Sequence, residues 1–324
     1  MEHRYTEEVQ YDAFLLVSFG GPEKQEDVIP FLENVLRGRN VPRERLLEVA
    51  EHYYHFDGSS PINNQCRALI TALEAEFASR GINLPVFWGN RNWHPMLEGT
   101  VAQMRDAGIK KVLAVATSAF GSYSGCRQYR EDLERARAAV PGAPEIDKLP
   151  PFSGHPGFVE TMIERVADAQ AQLPGAEVIY TAHSIPVSMA NSSPYQQQLT
   201  AVCETVNAAL GLGKPTLVYQ SRSGAPGQPW LEPDITDYMR SSPSRKMIVV
   251  PVGFLSDHME VLYDLDTEAA DVAKELGIGF VRALTAGIHP RFVRGIRELV
   301  EAAMRDGAPV CAPGCCAAPQ RPRA

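Results

Sequence analysis

A histidine near the end of an apolar strand is the first residue of this sequence that could do chemistry. The run EVIY at 177–180 predicts a buried strand, and His183 follows it closely. Its ring would then emerge at the carboxyl edge of a sheet, where an imidazole can exchange protons near neutral pH or bind a metal ion. The alternative is a strand-end histidine that only hydrogen-bonds to backbone.

Three acidic residues spaced four apart form a second candidate. Glu260, Asp264 and Glu268 would share one face of a helix. Like charges at this spacing oppose a helix by about 0.2–0.5 kcal/mol per pair, so the face is either a solvated surface or serves to attract cations or relay protons. Asp257 and His258, which precede the stripe, favour a path for a metal ion.

Cysteines cluster at the end of the chain. Three of the six, Cys311, Cys315 and Cys316, lie in the last fourteen residues. In a protein of the reducing cytoplasm, such clustering favours metal binding over disulfides. Cys66 and Cys203 lie in amphipathic segments and are expected to be small buried hydrophobic residues.

Composition excludes several classes of protein. The 324 residues include 31 Lys and Arg against 39 Asp and Glu, a net charge of −8 with no long basic run, which disfavours nucleic acid and anionic membranes as partners. The longest apolar runs are far shorter than the about 20 residues that span a bilayer. The first ten residues are charged and lack the features of a secretory signal, so we expect a soluble cytoplasmic protein without a membrane anchor.

Apolar runs alternate with amphipathic helical stretches, a pattern that predicts an α/β fold with parallel sheets. The predicted strands are 13–17, 86–88, 111–116, 177–180, 216–219, 247–252 and 279–282. Prolines near 141–151 suggest a boundary at about residue 150. We therefore predict domains over 1–150 and 151–305, the second ending in a long helix, followed by a Cys-rich tail over 306–324.

Polar and glycine-rich segments follow the predicted strands, and open α/β sheets bind ligands at that edge. The first strand is not followed by G-x-G-x-x-G, and the chain has no G-x-x-x-x-G-K-[ST]. Dinucleotides and nucleoside triphosphates are therefore not indicated as ligands.

Four segments of the sequence resemble those of ferrochelatases, which insert ferrous iron into a porphyrin. They are LLVSFGGP at 15–22, TAHSIP at 181–186, YQSR at 219–222 and VGFLSDHMEVLYD at 252–264. The resemblance runs in the same order from Tyr11 to Met304. It implies two Rossmann-like domains of the chelatase-like fold, with the active-site cleft between them.

The resemblance assigns roles to the residues already singled out. His183 and Glu260 match the catalytic, metal-facing pair, while His258, Asp264 and Glu268 match the path for protons or metal. Insertion of a dication requires loss of two pyrrole protons, which a neutral imidazole and carboxylates can accept.

Porphyrin propionates need cations and hydroxyl donors. The resemblance implies propionate contacts from Arg37, Arg39, Tyr53, Ser60 and Tyr129. Taken alone, each would be a surface charge or a partly packed residue. Phe19 departs from the tyrosine that several bacterial relatives have there, so axial ligation of the product iron from this position is not expected.

The tail implies a cofactor by the same resemblance. CAPGCC at 311–316 supplies three thiols, and Cys126 in YSGCRQ lies where cluster-bearing ferrochelatases have an internal cysteine ligand. Four thiolates usually hold an iron–sulfur cluster. The expectation is a [2Fe-2S] cluster on Cys126, Cys311, Cys315 and Cys316, with zinc or a tail free of metal as alternatives.

The segments FLENVLRGR at 31–39, SSPIN at 59–63 and GNRNW at 89–93 look most like the actinobacterial-type coproporphyrin ferrochelatases. The predicted function is insertion of Fe²⁺ into coproporphyrin III in heme biosynthesis, with a downstream enzyme of that pathway as a partner. Residues 37–52, rich in Arg and Glu, favour this substrate over protoporphyrin IX. A non-catalytic tetrapyrrole- or metal-binding protein with a redox-sensing cluster is the alternative from another class.

Overall fold

The computed structural model describes residues 9–38, 41–224 and 227–318 and divides into two compact units. Of the described residues, those within 9–117, 128–150 and 293–312 form the first unit, and those within 118–127, 151–292 and 313–318 form the second. Arg39, one of the predicted propionate contacts, lies outside the described residues. No helix in the described part of the chain combines the length and the apolar character needed to cross a membrane.

Eight strands form two parallel sheets of four. The strands of the first unit are β1 (Ala13–Ser18), β2 (Val86–Asn90), β3 (Lys111–Ala116) and β4 (Glu145–Lys148). Those of the second are β5 (Glu177–His183), β6 (Thr216–Gln220), β7 (Lys246–Val250) and β8 (Gly279–Arg282). The orders are β2-β1-β3-β4 and β6-β5-β7-β8, so both units have the same topology. This confirms the predicted α/β class.

Twelve α-helices are described around these strands. They are α1 (Val28–Val35), α2 (Arg43–Tyr54), α3 (Ile62–Ser79), α4 (Leu97–Asp106), α5 (Gln128–Ala139), α6 (Pro156–Gln172), α7 (Val187–Asn191), α8 (Tyr195–Ala209), α9 (Ile235–Ser241), α10 (Met259–Tyr263), α11 (Ala270–Leu276) and α12 (Pro290–Asp306). Two π-helices, Tyr123–Arg127 and Asp264–Ala269, and one short 3₁₀ helix, Gln25–Asp27, complete the described elements.

The strands form where apolar and β-branched residues can be buried on both faces of a sheet. All six residues of β1 are buried, and Leu15 and Val17 pack in a core with Val101 and Met104 of α4. In the second unit, β5 and β7 pack against α9, α10 and α11 through Ile179 among others. Each sheet thus has a rigid apolar base beneath the loops at its carboxyl edge.

The predicted strands omit one of the eight, and several of their ends differ from the observed bounds by one to three residues. The missed strand is β4, whose sequence EIDK lacks an apolar run because its residues are exposed or only half-buried at the edge of its sheet. In the structure, β7 ends at Val250 and β5 continues to His183. His183 is therefore a strand residue, held in register with Gln220 of β6.

The predicted domains differ from the two units at α12. From Val293 onward this helix groups with the first unit. Buried Arg297 pairs with Glu76 of α3 there, and the Met304 carbonyl accepts a hydrogen bond from the Val9 N–H at 2.8 Å. Sequence order placed the helix in the second domain because these long-range contacts leave no local pattern.

Candidate functional site

His183 stands at the carboxyl end of the central part of the second sheet. Its Nδ1 donates a hydrogen bond to the Ser184 carbonyl, which can only accept, so Nε2 is the nitrogen available for chemistry. That atom lies 3.7 Å from Oε1 of Glu260. The hydroxyl of Tyr195 donates to the His183 carbonyl at 3.0 Å, which fixes the backbone from the other side.

Close backbone packing next to His183 requires a glycine. A Cβ on Gly253 would lie 2.6 Å from the Cβ of Ala182, closer than real side chains approach. The Gly253 N–H donates to the Thr181 carbonyl at 3.0 Å. The loop after β7 is thereby held against β5, and this loop leads into the helix that carries Glu260.

Glu260 lies in the first turn of the short helix α10. His258 caps that helix, since its Nδ1 accepts the Glu260 N–H at 3.2 Å. The side-chain amide of Gln220 donates to the Glu260 carbonyl at 3.0 Å. A strand end, a cap and a loop therefore determine where this carboxylate lies, although its side chain stays 47% exposed.

The two groups stabilise each other's charged forms. Burial by itself lowers the pKa of His183, but the Glu260 carboxylate, by charge and hydrogen bond, outweighs it and raises that pKa to about 9. Loss of solvation likewise opposes the charge on Glu260, whereas His183 lowers its pKa to about 2. At neutral pH the pair is an imidazolium and a carboxylate.

Asp264 is a second carboxyl group within the same cluster. Ser221 donates a short hydrogen bond to its Oδ2, and Gln220 donates to the same oxygen at 3.3 Å. Burial raises the pKa of Asp264 to about 7, and the negative charges of Glu260 and Glu268 add to the rise. A carboxyl group with this pKa can take up or release a proton at neutral pH.

The predicted acidic stripe is present but is not a regular α-helix. The segment changes from α10 to the π-helix at Asp264 and returns to an α-helix at Ala270. Glu268 is exposed, and the pKa of its carboxyl is raised by loss of solvation and by Asp234. The four-residue spacing thus places Glu260 and Glu268 close enough to Asp264 for their charges to raise its pKa. The π-helix, a feature often found at functional sites, has no clear signal in the sequence.

Two positioning residues were assigned no role from the sequence. Gln220 and Ser221 lie within the quoted YQSR segment, and together they hold Asp264 and the backbone of Glu260. Ser221 has a φ of 62°, a left-handed conformation that is uncommon for a residue other than glycine. Their place after a buried strand was the available signal.

A cavity of about 400 Å³ opens beside the ends of β5 and β6 in the second unit. It is lined by Ser184, Tyr219, Arg222, Leu231, Glu232, Pro233, Asp234, Thr236 and Asp237. Asp234 in its wall is the residue whose charge acts on Glu268.

The predicted propionate contacts of the first unit lie in different environments. Arg37 is exposed and donates a hydrogen bond to the side-chain oxygen of Asn34 in α1. Tyr53 packs edge-on against Phe31, with 5.7 Å between the two ring centres. Ser60 is buried against the backbone of Gly21. Tyr129 is also buried, and its hydroxyl bonds with Arg91 and Thr117, so it has the least freedom to contact a ligand.

Arg91 was not singled out in the sequence, yet it organises this edge of the first unit. Its side chain is 7% exposed and forms a short ion pair with the equally buried Asp132. The guanidinium lies 4.5 Å from the ring centre of Tyr129 and 5.7 Å from that of Phe19. Phe19 is thus packed as part of a cation–aromatic cluster.

Three of the predicted cluster ligands are neighbours in the second unit. The sulfur atoms of Cys315 and Cys316 are 3.6 Å apart, and Cys316 hydrogen-bonds to Cys126. These two neighbouring thiols raise the pKa of Cys316, with burial adding to the rise. Over the described ranges, no group of three or more His, Cys, Asp or Glu side chains is arranged to hold a metal ion.

Comparison with known proteins gives a consistent family. The ferrochelatase family matches residues 11–304. A ferrochelatase of Rhodopirellula baltica is 54% identical over 301 residues, covering 90% of this chain and 86% of the relative. A coproporphyrin III ferrochelatase of Nocardia farcinica is 48% identical, covering 97% and 98% of the two chains.

The solved structure of the sirohydrochlorin chelatase SirB from Bacillus subtilis subspecies spizizenii has a TM-score of 0.57 to this chain. It is 12% identical and covers 92% of this chain and 97% of its own, so it shares the fold. The family match and the close relatives carry the assignment further: the chain belongs to the ferrochelatase family.

Proposed function

We propose that the protein inserts ferrous iron into coproporphyrin III. The observation that carries this proposal is the His183–Glu260 pair, with Nε2 and Oε1 3.7 Å apart and Asp264 within electrostatic reach of both groups. The coproporphyrin III ferrochelatase of Nocardia farcinica, matched over nearly its full length, supports the choice of substrate.

The chemistry follows from the charge states of the pair. Fe²⁺ approaching Nε2 opposes the positive charge on His183, so the imidazolium releases its proton, which Asp264 is suited to take up. The neutral imidazole and the Glu260 carboxylate then accept the two pyrrole protons as the metal enters the ring. His183 keeps one of these protons and is again an imidazolium, which lowers the pKa of Glu260, and Glu260 and Asp264 each release a proton to solvent. Each Fe²⁺ bound therefore releases two protons, and the resting charge states return.

The substrate-binding proposal rests on the first unit. We propose that Arg37, Arg39, Tyr53, Ser60 and Tyr129 contact propionates, with Arg37 the most accessible of those described. Helix α2 carries charged rather than apolar residues at many positions, among them Arg43 and Arg45, and a polar surface suits the substrate with four propionates better than the less charged protoporphyrin IX. The iron-containing product of the reaction would pass to a later enzyme of heme synthesis in the cytoplasm.

An anaerobic assay tests the proposed function. Purified protein is mixed with Fe²⁺ and either coproporphyrin III or protoporphyrin IX, and loss of the free-base absorbance is followed. Faster turnover of coproporphyrin III supports the proposal, whereas preference for protoporphyrin IX would change the substrate. Porphyrin binding without turnover would indicate the non-catalytic alternative.

We also propose a [2Fe-2S] cluster on Cys126, Cys311, Cys315 and Cys316. The position of Cys316 supports it, because this thiol contacts both Cys126 and Cys315. Such a cluster would hold the chain around residue 316 to the segment around Cys126 and thereby stabilise the fold.

Anaerobic purification tests the cluster. The proposal expects coloured protein with iron and acid-labile sulfide in equal amounts, and Cys126→Ser should lower the melting temperature as much as deletion of residues 310–324. Cys203→Ser is a control, since that thiol is buried in α8. Colourless protein with stoichiometric zinc, or with no metal, would refute the cluster.

A further inference from the structure

The segment that carries Glu260 and Asp264 has an unusual need for outside support. It runs from Asp257 to Asp266 and consists of a five-residue helix followed by the start of a π-helix, neither of which is stable by itself. Val261 and Leu265 are buried in the hydrophobic core of the second unit and anchor the apolar side of the segment there. The ends of the segment need a separate constraint.

Arg282, the last residue of β8, contacts both ends of this segment. Its guanidinium binds both carboxylate oxygens of Asp266, with Nη2 at 2.8 Å from Oδ2, and Nη1 donates to Oδ1 of Asp257 at 2.7 Å. Its side chain is 11% exposed. Asp257 lies just before the cap of α10 and Asp266 lies just after Asp264, so one side chain brackets the two candidate carboxylates.

We propose that Arg282 is a positioning residue for metal insertion, which fixes Glu260 and Asp264 relative to His183 by clamping Asp257 and Asp266. The inference rests on the proposed function. It also explains how five acidic residues between 257 and 268 share one short segment. Arg282 pairs with Asp257 and Asp266 and offsets part of their charge, so the stripe of Glu260, Asp264 and Glu268 is left for protons and metal.

A guanidinium is better suited than any other side-chain group to bind Asp257 and Asp266 at the same time. It is a planar fork that can bind one carboxylate through two atoms and a second through another, whereas a lysine offers a single point charge. Arg282→Lys should therefore keep one partner and release the other. Arg282→Gln removes the charge and most of the contacts while retaining a polar side chain.

A matched control exists in the same unit. Arg240 of α9 binds both oxygens of Glu275 at 2.9 Å each, so it forms the same kind of two-atom ion pair. Its pair is exposed and lies in α9 and α11, outside the segment from 257 to 266. Arg240→Gln thus removes an arginine–carboxylate pair without touching the candidate site.

The test compares kcat and KM with local hydrogen exchange in the full-length protein. For Arg282→Gln we expect kcat for iron insertion to fall by about 10- to 100-fold, because small displacements of reacting groups have effects of this size. We expect KM for the porphyrin to stay within about twofold, since the clamp is not a propionate contact. Arg282→Lys should be intermediate, and Arg240→Gln should match the unmodified protein. Amide exchange should accelerate in peptides covering 257–266.

Several outcomes would overturn the proposal. They are an unchanged kcat in folded Arg282→Gln, an equal loss in Arg240→Gln, or faster exchange spread evenly over the second unit. If Arg282→Gln does not fold, the same criteria apply to Arg282→Lys and to Asp266→Asn. If the unmodified protein has no turnover, the proposed function fails, and the exchange data alone decide whether Arg282 clamps the segment.

Discussion

The two units have the same strand order but treat charge at their carboxyl edges in opposite ways. In the first unit the central charge, Arg91, is buried and paired with Asp132. In the second, His183 and Glu260 stay partly exposed, with side chains 32% and 47% accessible. The same topology therefore supports a buried ion pair in the first unit and a solvent-accessible ion pair in the second.

The accessible pair belongs to a cluster of three side chains with shifted pKa values. The pKa of His183 is raised, that of Glu260 is lowered, and that of Asp264 is brought to about 7. Several perturbed pKa values at one edge of a sheet are typical of catalytic sites. We infer that the second unit does the proton chemistry and that the charges of the first unit serve structure and binding.

Replacing the imidazole should have the largest effect. His183→Ala should reduce iron insertion by about 10²- to 10⁴-fold, the range expected for loss of a general acid–base group, while porphyrin binding largely survives. Anaerobic turnover under saturating iron measures this. Glu275→Ala is the control, because that exposed carboxylate lies in α11 and pairs only with surface Arg240 among its described contacts. Near-normal turnover of His183→Ala would remove it from the reaction.

Removing the buried Arg91–Asp132 ion pair should lower the stability of the fold. Asp132→Asn leaves the buried Arg91 guanidinium without its main partner, so the free energy of unfolding should fall by about 3–5 kcal/mol. Urea denaturation measures the loss. Glu48→Gln, which breaks the exposed pair with Arg45, should cost less than about 1 kcal/mol. Equal effects of the two substitutions would show that burial does not distinguish the pairs.

Propionate contacts should produce a smaller, substrate-dependent change. Arg37→Ala and Ser60→Ala should weaken coproporphyrin III binding by about 1.5–3 kcal/mol per lost charge-assisted hydrogen bond, and protoporphyrin IX binding by less. Fluorescence quenching titrations with both porphyrins give the comparison. Equal losses for the two porphyrins, or none, would remove these residues from substrate selection.

The smallest effect is a pH dependence of stability from the accessible pair. His183 has a raised pKa in the fold, so its contribution is complete below about 6.5 and disappears as the pH rises through about 9. Glu260 has a lowered pKa, so its contribution is complete above about 4.5 and disappears as the pH falls through about 2. Solvent exposure limits the pair to about 1 kcal/mol.

Denaturation of the unmodified protein and of Glu260→Gln at pH 5.5 and 9.5 isolates this contribution. The stability difference between the two proteins should be larger at pH 5.5, because the imidazolium is then present. A difference that is independent of pH would contradict the assigned charge states.

Sequence reasoning reached the local features of this molecule and missed those made by distant contacts. Seven strands and the acidic stripe follow from apolar runs and spacing, and His183 follows from its place near a strand end. β4 was missed because it is polar, and the π-helix was missed because its residues resemble those of an α-helix. The Arg91–Asp132 pair joins residues 41 positions apart and leaves no periodic signal.

The most direct test of the account is a single-turnover reaction of Glu260→Ala with Fe²⁺ and coproporphyrin III under anaerobic conditions, next to the unmodified protein. Binding of the porphyrin is measured first, from its absorbance shift, so that loss of affinity is separated from loss of insertion. The account predicts that the variant binds the porphyrin with little change and that free-base absorbance decays at least about 100-fold more slowly. Decay at the unmodified rate would contradict the claim that the accessible pair of the second unit performs the chemistry.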